Sequence, residues 1–289
     1  MDYIVHAVTN SILFKPPPRQ TKSIFPRDAR NTFARALSTE QIHCQLTCPW
    51  DSCSTLENYI PTTKIFLYLH GNNEDINSSR TYRQWICNHA HLNVLTCDYT
   101  GYGFSTGETS EEGMHDAASA LLDLAMSKLN HTPDQIIVIG KSIGSTPAIS
   151  LASNVHMKNL CGLILLSPIA SGARCLSFSH RLPAYVLKKL DALLLPNIDK
   201  INAVQCPIQF VHGLQDQVVP CSNSYSLIIA HGKTLYTDPW FVEAGHNDIE
   251  SRYTSSFLHK ISDFVEVCTQ RSAVTVPYHD THELLVNYE

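Results

Sequence analysis

The stretch from Ile136 to Leu151 constrains the fold of this chain more than any other. Four β-branched residues, Ile136-Ile-Val-Ile139, predict a strand that is buried on both faces. Gly140-Lys-Ser-Ile-Gly144 follows with the spacing Gly-x-Ser-x-Gly, and residues 145–151 place apolar side chains at helical spacing. A strand, a sharp turn and a helix in this order favour a nucleophile elbow, with the hydroxyl of Ser142 exposed on the turn and the helix beginning at that serine.

Other apolar runs extend this unit into a repeating pattern. Further strands are predicted at residues 41–47, 64–70, 93–98, 160–166, 207–211 and 234–242. Helices are predicted at residues 79–90, 111–129 and 247–267. Alternation of the two predicts an α/β protein with a mostly parallel, doubly wound sheet of about eight strands. Ligands of such sheets bind outside the carboxyl ends of the strands, so we expect the chemistry there.

Three of these strand ends have side chains suited to nucleophilic catalysis. Ser142 follows one strand, Asp216 follows the strand at 207–211, and His246 follows the strand at 234–242. Serine, acid and histidine in this chain order are typical of α/β-hydrolase catalytic triads. His246 would take the proton of Ser142, and Asp216 would hold the imidazole in the required tautomer.

Other side chains compete for these roles. Asp199 and Asp238 are alternative acids, and Asp216 by itself is compatible with an ordinary turn. His212 lies within a strand end, so we interpret it as a buried histidine with satisfied hydrogen bonds and no part in the chemistry. The coincidence of three strand ends favours Ser142, Asp216 and His246.

An acyl-transfer site also needs backbone N–H groups for the negative oxygen that develops in the reaction. One is expected from Ile143, directly after the nucleophile, and the other from the loop after the strand at 64–70. In His70-Gly-Asn72 that second donor is assigned to Asn72, although the sequence alone also allows a plain turn there.

Composition excludes several other classes of protein. The chain has 289 residues, of which 44% are hydrophobic and 16% charged, so it can form a sizeable core and is not disordered as a whole. A net charge of −5 without a basic block argues against nucleic acid as a partner. Apolar runs are too short to span a bilayer, and the acidic N-terminus is unlike a secretory signal. We expect a cytoplasmic protein whose membrane contact is at most peripheral.

Cysteine and histidine patterns do not indicate a metal or a cofactor. The 10 cysteines have no tight repeating spacing and are interpreted as reduced structural thiols. His279-Asp-Thr-His-Glu283 resembles a set of metal ligands, but it falls in a polar tail, so no metal is assigned.

Several motifs together resemble one family. The chain is similar to the eukaryotic α/β-hydrolase-domain serine hydrolases, and within them to the protein-depalmitoylase branch, α/β-hydrolase-domain-containing protein 17. The matching pieces are His70-Gly-Asn72, Asp98-Tyr-Thr-Gly-Tyr-Gly103 with Ser105 and Gly107, Gly140-Lys-Ser-Ile-Gly144, Ser167-Pro-Ile-Ala-Ser-Gly172, Pro196-Asn-Ile-Asp-Lys-Ile201 and Ala244-Gly-His-Asn-Asp248. The resemblance implies an α/β-hydrolase fold and thioester hydrolysis on S-palmitoylated proteins at membranes. Members of this branch have an N-terminal cluster of lipidated cysteines, whereas here the first cysteine is Cys44.

The predicted organisation has three parts. Residues 1–40 form an N-terminal arm whose apolar residues have roughly helical spacing, residues 41–268 form the α/β-hydrolase domain, and residues 269–289 form a polar tail. Residues 168–205 are an insertion rich in leucine, which predicts a small helical cap over the site. Its apolar residues either line an acyl pocket or pack the cap onto the domain.

These features predict a serine hydrolase that cleaves acyl esters or thioesters, with S-acylated proteins as the substrates that the resemblance implies. A small-molecule carboxylesterase or lipase is the alternative enzyme, because oxyesters and thioesters need the same triad. A non-catalytic hydrolase-fold binding protein is the alternative from another class, although such proteins usually lack a triad residue.

Overall fold

The computed structural model describes residues 14–18, 31–35, 40–49, 59, 61–175 and 182–270, and within them eight strands form one sheet. In chain order the strands are β1 (Asn31–Arg35), β2 (Gln41–Thr47), β3 (Ile65–Leu69), β4 (Asn93–Cys97), β5 (Ile136–Lys141), β6 (Gly162–Leu166), β7 (Ile208–Gly213) and β8 (Trp240–Val242). Across the sheet they lie in the order β1-β2-β4-β3-β5-β6-β7-β8. Strand β2 is antiparallel to both neighbours, and all other pairs are parallel. The predicted mostly parallel sheet is confirmed.

Helices cover both faces of this sheet. They are α1 (Arg80–Ala90), α2 (Glu111–Ser127), α3 (Ser145–Ser153), α4 (Ala184–Asp191), α5 (Asn197–Lys200), α6 (Ser222–His231), α7 (Ile249–Arg252) and α8 (Thr254–Gln270). Leu67 of β3 belongs to a core with residues of α2 and α3, while its neighbours Phe66 and Tyr68 belong to a second core with residues of α1 and α8. Successive side chains of a strand point to opposite faces, and here both faces are covered. This explains why the central strands are continuously apolar in sequence.

Strand β8 and the last predicted helix differ from the sequence prediction in their bounds. Strand β8 begins at Trp240 and not at residue 234, because Pro239 has no N–H group to offer to a neighbouring strand. The last helix, predicted from 247 to 267, is divided at Tyr253 into α7 and α8. Tyr253 has φ −120° and ψ 36°, which is outside the helical region.

The sheet also includes a strand that the sequence analysis placed in the N-terminal arm. Strand β1 pairs with β2 from Asn31 opposite Gln45 to Arg35 opposite Gln41. Further along the arm, Phe14 is buried in the first core, but the rest of its predicted helical stretch lies outside the described residues. Helix α8 continues into the predicted tail as far as Gln270, and residues 271–289 lie outside the described part. Among the described helices, none has the length and hydropathy required to cross a bilayer.

Candidate active site

Ser142 lies in the sharp turn between β5 and α3, with a left-handed backbone (φ 54°) that residues other than glycine seldom adopt. Residues Ser142–Gly144 form a 3-10 turn, so the α-helix begins at Ser145 and not at Ser142 as predicted. A Cβ atom at Gly144 would lie 2.2 Å from the carbonyl oxygen of Leu69, and one at Gly140 would lie 2.7 Å from Cβ of Ala148. Both distances are too short for a side chain, so the close approach of strand and helix requires the two glycines.

The structure brings together the three side chains predicted as the triad. Nε2 of His246 lies 3.0 Å from Oγ of Ser142, and Nδ1 of the same ring lies 2.6 Å from Oδ2 of Asp216. A carboxylate only accepts hydrogen bonds, so Nδ1 carries the proton and Nε2 is free to accept the hydroxyl proton of Ser142. Strands β5, β7 and β8 are parallel, which places the residues after their carboxyl ends at one edge of the sheet.

Asp216 is held in an environment that keeps it ionised. Its Oδ1 atom accepts hydrogen bonds from the backbone N–H groups of Val218 and Val219, both at 2.8 Å. Burial by itself raises the pKa of this carboxyl group, but hydrogen bonds from His212, His246 and the backbone outweigh burial and lower the pKa well below its usual range. The carboxylate therefore stays negative next to the imidazole that it orients.

Asn72 and Ile143, predicted to donate backbone N–H groups to an oxyanion, line the same cleft as Ser142 and His246. The side chain of Asn72 is turned away from this task, since its Oδ1 atom accepts hydrogen bonds from the backbone N–H of Lys15 and from the hydroxyl of Tyr102, both at 2.8 Å. The hydrogen bond from Lys15 joins the N-terminal segment to the loop after β3.

The cleft above Ser142 has a volume of about 940 Å³. Part of its wall comes from the insertion predicted as a cap, through Ile169, Gly172, Cys175 and Leu195. The polar lining residues are Lys15, Asn72, Asn73, Glu74, Lys141 and Asn247. The cleft around the nucleophile is therefore lined by both apolar and polar side chains, a composition that suits a substrate with an apolar acyl group and a polar leaving group.

Three features of the surroundings were not predicted from the sequence. Lys141 forms an ion pair with Glu74 beside the nucleophile, and Lys15 reaches the cleft from the N-terminal segment. His212 is a buried histidine with both ring nitrogens satisfied, as expected: Nδ1 contacts Oγ of Ser224 at 2.7 Å and Nε2 contacts the carbonyl of Val219 at 2.8 Å. Unexpectedly, Nε2 also lies 3.3 Å from Oδ2 of Asp216.

The described part of the chain contains free thiols and no cluster of metal-binding side chains. The cysteines that the structure describes are free thiols, at positions 44, 48, 87, 97, 161, 175, 206, 221 and 268. Within the described residues, no three histidine, cysteine or acidic side chains come together in a way that could hold a metal ion. The segment 279–283, which resembles a set of metal ligands but was assigned no metal, lies outside those residues. Of the competing acids, Asp199 lies in α5 and Asp238 in the loop before β8, and it is Asp216 that contacts the histidine.

Solved structures share this architecture. The esterase Pf2001 of Pyrococcus furiosus superposes with a TM-score of 0.65 over 87% of this chain and 98% of its own, at 18% sequence identity. The mouse alpha/beta hydrolase domain-containing protein 10 superposes with a TM-score of 0.58 over 82% of this chain and 98% of its own, at 15% identity. At such identities the similarity establishes the α/β-hydrolase fold, which confirms the predicted fold class.

Sequence comparison identifies more similar relatives, although no protein-family model matches the chain. Alpha/beta hydrolase domain-containing protein aho-3 of Caenorhabditis elegans is 32% identical over 211 residues, which are 73% of this chain and 60% of the relative. Alpha/beta hydrolase domain-containing protein 17C of Xenopus tropicalis is 32% identical over 234 residues, 78% of this chain and 67% of the relative. The human protein of that name is 30% identical over 228 residues, covering 76% of this chain and 62% of its own length. The chain therefore belongs to the α/β-hydrolase-domain-containing protein 17 family.

Proposed function

We propose that the protein is a serine hydrolase that cleaves acyl esters or thioesters through an acyl-Ser142 intermediate. The observation that carries the proposal is the continuous chain of contacts from Ser142 Oγ through both nitrogens of His246 to Asp216, at 3.0 and 2.6 Å. The carboxylate of Asp216 orients the imidazole so that Nε2 faces the hydroxyl of Ser142, and the serine lines the cleft.

In the first half-reaction, Oγ of Ser142 attacks the acyl carbonyl carbon while Nε2 of His246 takes the hydroxyl proton. The carbonyl oxygen becomes negative and accepts hydrogen bonds from the N–H groups of Ile143 and Asn72. When this intermediate collapses, the bond to the leaving oxygen or sulfur breaks, and His246 gives its proton to the alcohol or thiol. The acyl group remains on Ser142.

In the second half-reaction, a water molecule attacks the acyl-serine ester. His246 takes one proton of the water, the C–Oγ bond breaks, and the proton returns to Oγ of Ser142. The products are a carboxylic acid and the free enzyme, so the cycle needs neither a metal nor a redox cofactor.

We further propose that the acyl chain lies against the apolar residues of the cleft and that S-acylated proteins are among the substrates. The cap residues Ile169 and Leu195, together with Val218 and Val219, supply apolar surface next to the nucleophile. Among the described residues the cleft is open, which leaves room for a bulky leaving group beside its polar residues. A small-molecule carboxylesterase would use the same triad, so the substrate has to be decided by experiment.

A fluorophosphonate probe tests the mechanism, because it reacts with an activated serine. The wild-type chain should be labelled and Ser142→Ala should not. Matched oxyester and thioester substrates with the same acyl chain, followed by release of an S-palmitoylated peptide thiol, then rank the substrate classes. If folded wild-type protein is neither labelled nor active on any of these substrates, it is a binding protein and the proposal is wrong.

A further inference from the structure

The last residue of β5, Lys141, forms an ion pair directly beside the nucleophile. Its Nζ atom lies 2.8 Å from Oε1 of Glu74 and 3.7 Å from Oε1 of Glu250, and it lies above the ring of Tyr82, 5.4 Å from the centroid. The lysine side chain is 13% exposed. Burial lowers the pKa of Lys141, but the two carboxylates outweigh burial and raise it, so the amine is charged. A charged lysine thus links the nucleophile strand to the loop after β3.

The second oxygen of Glu74 extends this link to the backbone of that loop. Oε2 accepts hydrogen bonds from the hydroxyl of Tyr68 at 2.9 Å and from the N–H of Gly71 at 3.3 Å. One oxygen of the carboxylate therefore contacts Lys141, and the other contacts the N–H of the His70–Gly71 peptide. Burial raises the pKa of Glu74, and the pairing with Lys141 lowers it further than burial raises it.

The next peptide of the loop, between Gly71 and Asn72, is fixed by its carbonyl group. That oxygen accepts hydrogen bonds from the N–H of Glu74 at 3.2 Å and from Nδ1 of His70 at 2.9 Å. The described chain has no cis peptide bonds, so the N–H of Asn72 points away from this carbonyl. Gly71 also lies close to the nucleophile, because a Cβ placed on it would be 3.8 Å from Cβ of Ser142.

We propose that Lys141 and Glu74 are positioning residues, which hold the Gly71–Asn72 peptide so that the N–H of Asn72 faces the oxyanion formed on Ser142. This inference rests on the proposed function. Neither side chain donates to the oxyanion. Lys141 fixes Glu74, and Glu74 fixes the loop through both its side chain and its own N–H group. Lys141 also neutralises a carboxylate that would otherwise repel the developing negative charge.

The test compares Lys141→Met and Glu74→Gln with the wild type. Lys158→Met is the control, because it removes an exposed lysine that precedes β6, at the end of the sheet opposite to the catalytic residues. Removal of an oxyanion donor costs about 10²–10³ in kcat, and misplacement should cost part of this, so we expect kcat to fall roughly 10- to 100-fold. KM for a short acyl ester should change less than about threefold, since ground-state binding does not use the oxyanion donors. Lys141→Arg should recover much of the loss, and Lys158→Met should match the wild type.

A second readout separates positioning from general destabilisation. An alkyl boronic acid forms a tetrahedral adduct on a reactive serine, so its inhibition constant should rise by the same factor by which kcat falls. The thermal midpoint of each variant is measured alongside. If Lys141→Met does not fold because it leaves two carboxylates facing each other, the double variant Lys141→Met/Glu74→Gln removes the pair as a unit and should show the same loss of kcat.

The outcomes distinguish this inference from the proposed function. If the wild type is active and the folded variants Lys141→Met and Glu74→Gln keep its kcat and its boronate affinity, the positioning role alone is wrong. A parallel loss of kcat and boronate affinity with KM preserved supports it. A wild-type chain without activity or probe labelling would overturn both.

Discussion

Nε2 of His212 lies 3.3 Å from Oδ2 of Asp216, the same oxygen that accepts the hydrogen bond of His246. The carbonyl of Val219 lies 2.8 Å from that nitrogen and can only accept a hydrogen bond, so Nε2 carries a proton. His212 therefore directs an N–H donor towards the carboxylate. His212 thus helps to hold Asp216 in place without contacting the serine.

We predict that His212→Gln lowers kcat/KM by about tenfold, because it removes a hydrogen bond to a charged group. Such a hydrogen bond is worth about 1.5 kcal/mol. The loss is limited because two backbone N–H groups continue to hold Oδ1 of Asp216. Steady-state kinetics on a short acyl ester, with the thermal midpoint as a check of folding, measure it. A loss as large as that of Asp216→Asn would mean that His212 has a larger part than this geometry allows.

Substitutions in the triad should have much larger effects. Ser142→Ala and His246→Ala should each lower hydrolysis by about 10³-fold or more while the fold survives. Asp216→Asn should also be severe, because the amide favours the wrong tautomer of His246. Asp199→Asn is the matched control, and it should retain activity close to that of the wild type. Inactivation by Asp199→Asn together with a neutral Asp216→Asn would reverse the assignment of the acid.

Residues at strand ends were predictable because the sheet itself determines their position. Continuous apolar runs located β5 and β7, and the first polar residues beyond them are where a parallel sheet exposes its chemistry. Contacts between segments that are distant in sequence gave no such signal. Lys141 and Glu74 are 67 positions apart, and nothing in the periodicity of either segment indicates that their side chains meet.

The start of β8 was predicted too early, and strand β1 was not predicted. Pro239 marks the start of β8, and its missing N–H group could have shortened the predicted strand. The short strand β1, Asn31-Thr-Phe-Ala-Arg35, has too few apolar residues for a clear alternation, and it is defined mainly by its pairing with β2. A strand of this kind is recognised from its partner and not from its own sequence.

The buried carboxylate of Asp98 should make stability depend on pH. Its oxygens accept hydrogen bonds from Nδ1 of His43 at 2.9 Å, from the N–H of Ile76 at 2.8 Å and from the N–H of Phe104 at 3.2 Å. Burial raises the pKa of Asp98, but the hydrogen bond from His43, the electrostatic interactions with His70 and His43, and the N–H of Ile76 outweigh burial and lower the pKa below its usual range. A carboxyl group with a lowered pKa stabilises the folded state fully above its unfolded pKa of about 3.9, and this contribution disappears as the pH falls through the folded value.

We therefore predict that Asp98→Asn lowers the free energy of unfolding by on the order of 2 kcal/mol at pH 7. The difference from the wild type should shrink below about pH 4. Urea unfolding of both proteins at several pH values measures it. A difference that grew on acidification would mean that the pKa of Asp98 is raised and not lowered.

Deletion of residues 1–18 should lower both stability and activity. Phe14 is 5% exposed in the first core, and full burial of a phenylalanine side chain is worth about 1.5–3 kcal/mol. The N–H of Lys15 donates to the side chain of Asn72, so the deletion also removes one of the hydrogen bonds that hold the residue proposed as an oxyanion donor. We expect a lower thermal midpoint and a loss of kcat of roughly tenfold, from a hydrogen bond worth about 1 kcal/mol and the looser loop.

Two point variants separate these contributions. Phe14→Ala keeps the backbone contact and should lower mainly stability, whereas Lys15→Ala keeps both the N–H group and the core and should have the thermal midpoint of the wild type. Because Phe14 packs in the core of the domain, the deletion should change the thermal midpoint more than the partition onto vesicles, which is measured by co-sedimentation. If the intact chain bound vesicles tightly and the truncated chain stayed in the supernatant with the same midpoint, the N-terminal segment would act as a membrane contact, which would favour S-acylated membrane proteins as the substrates.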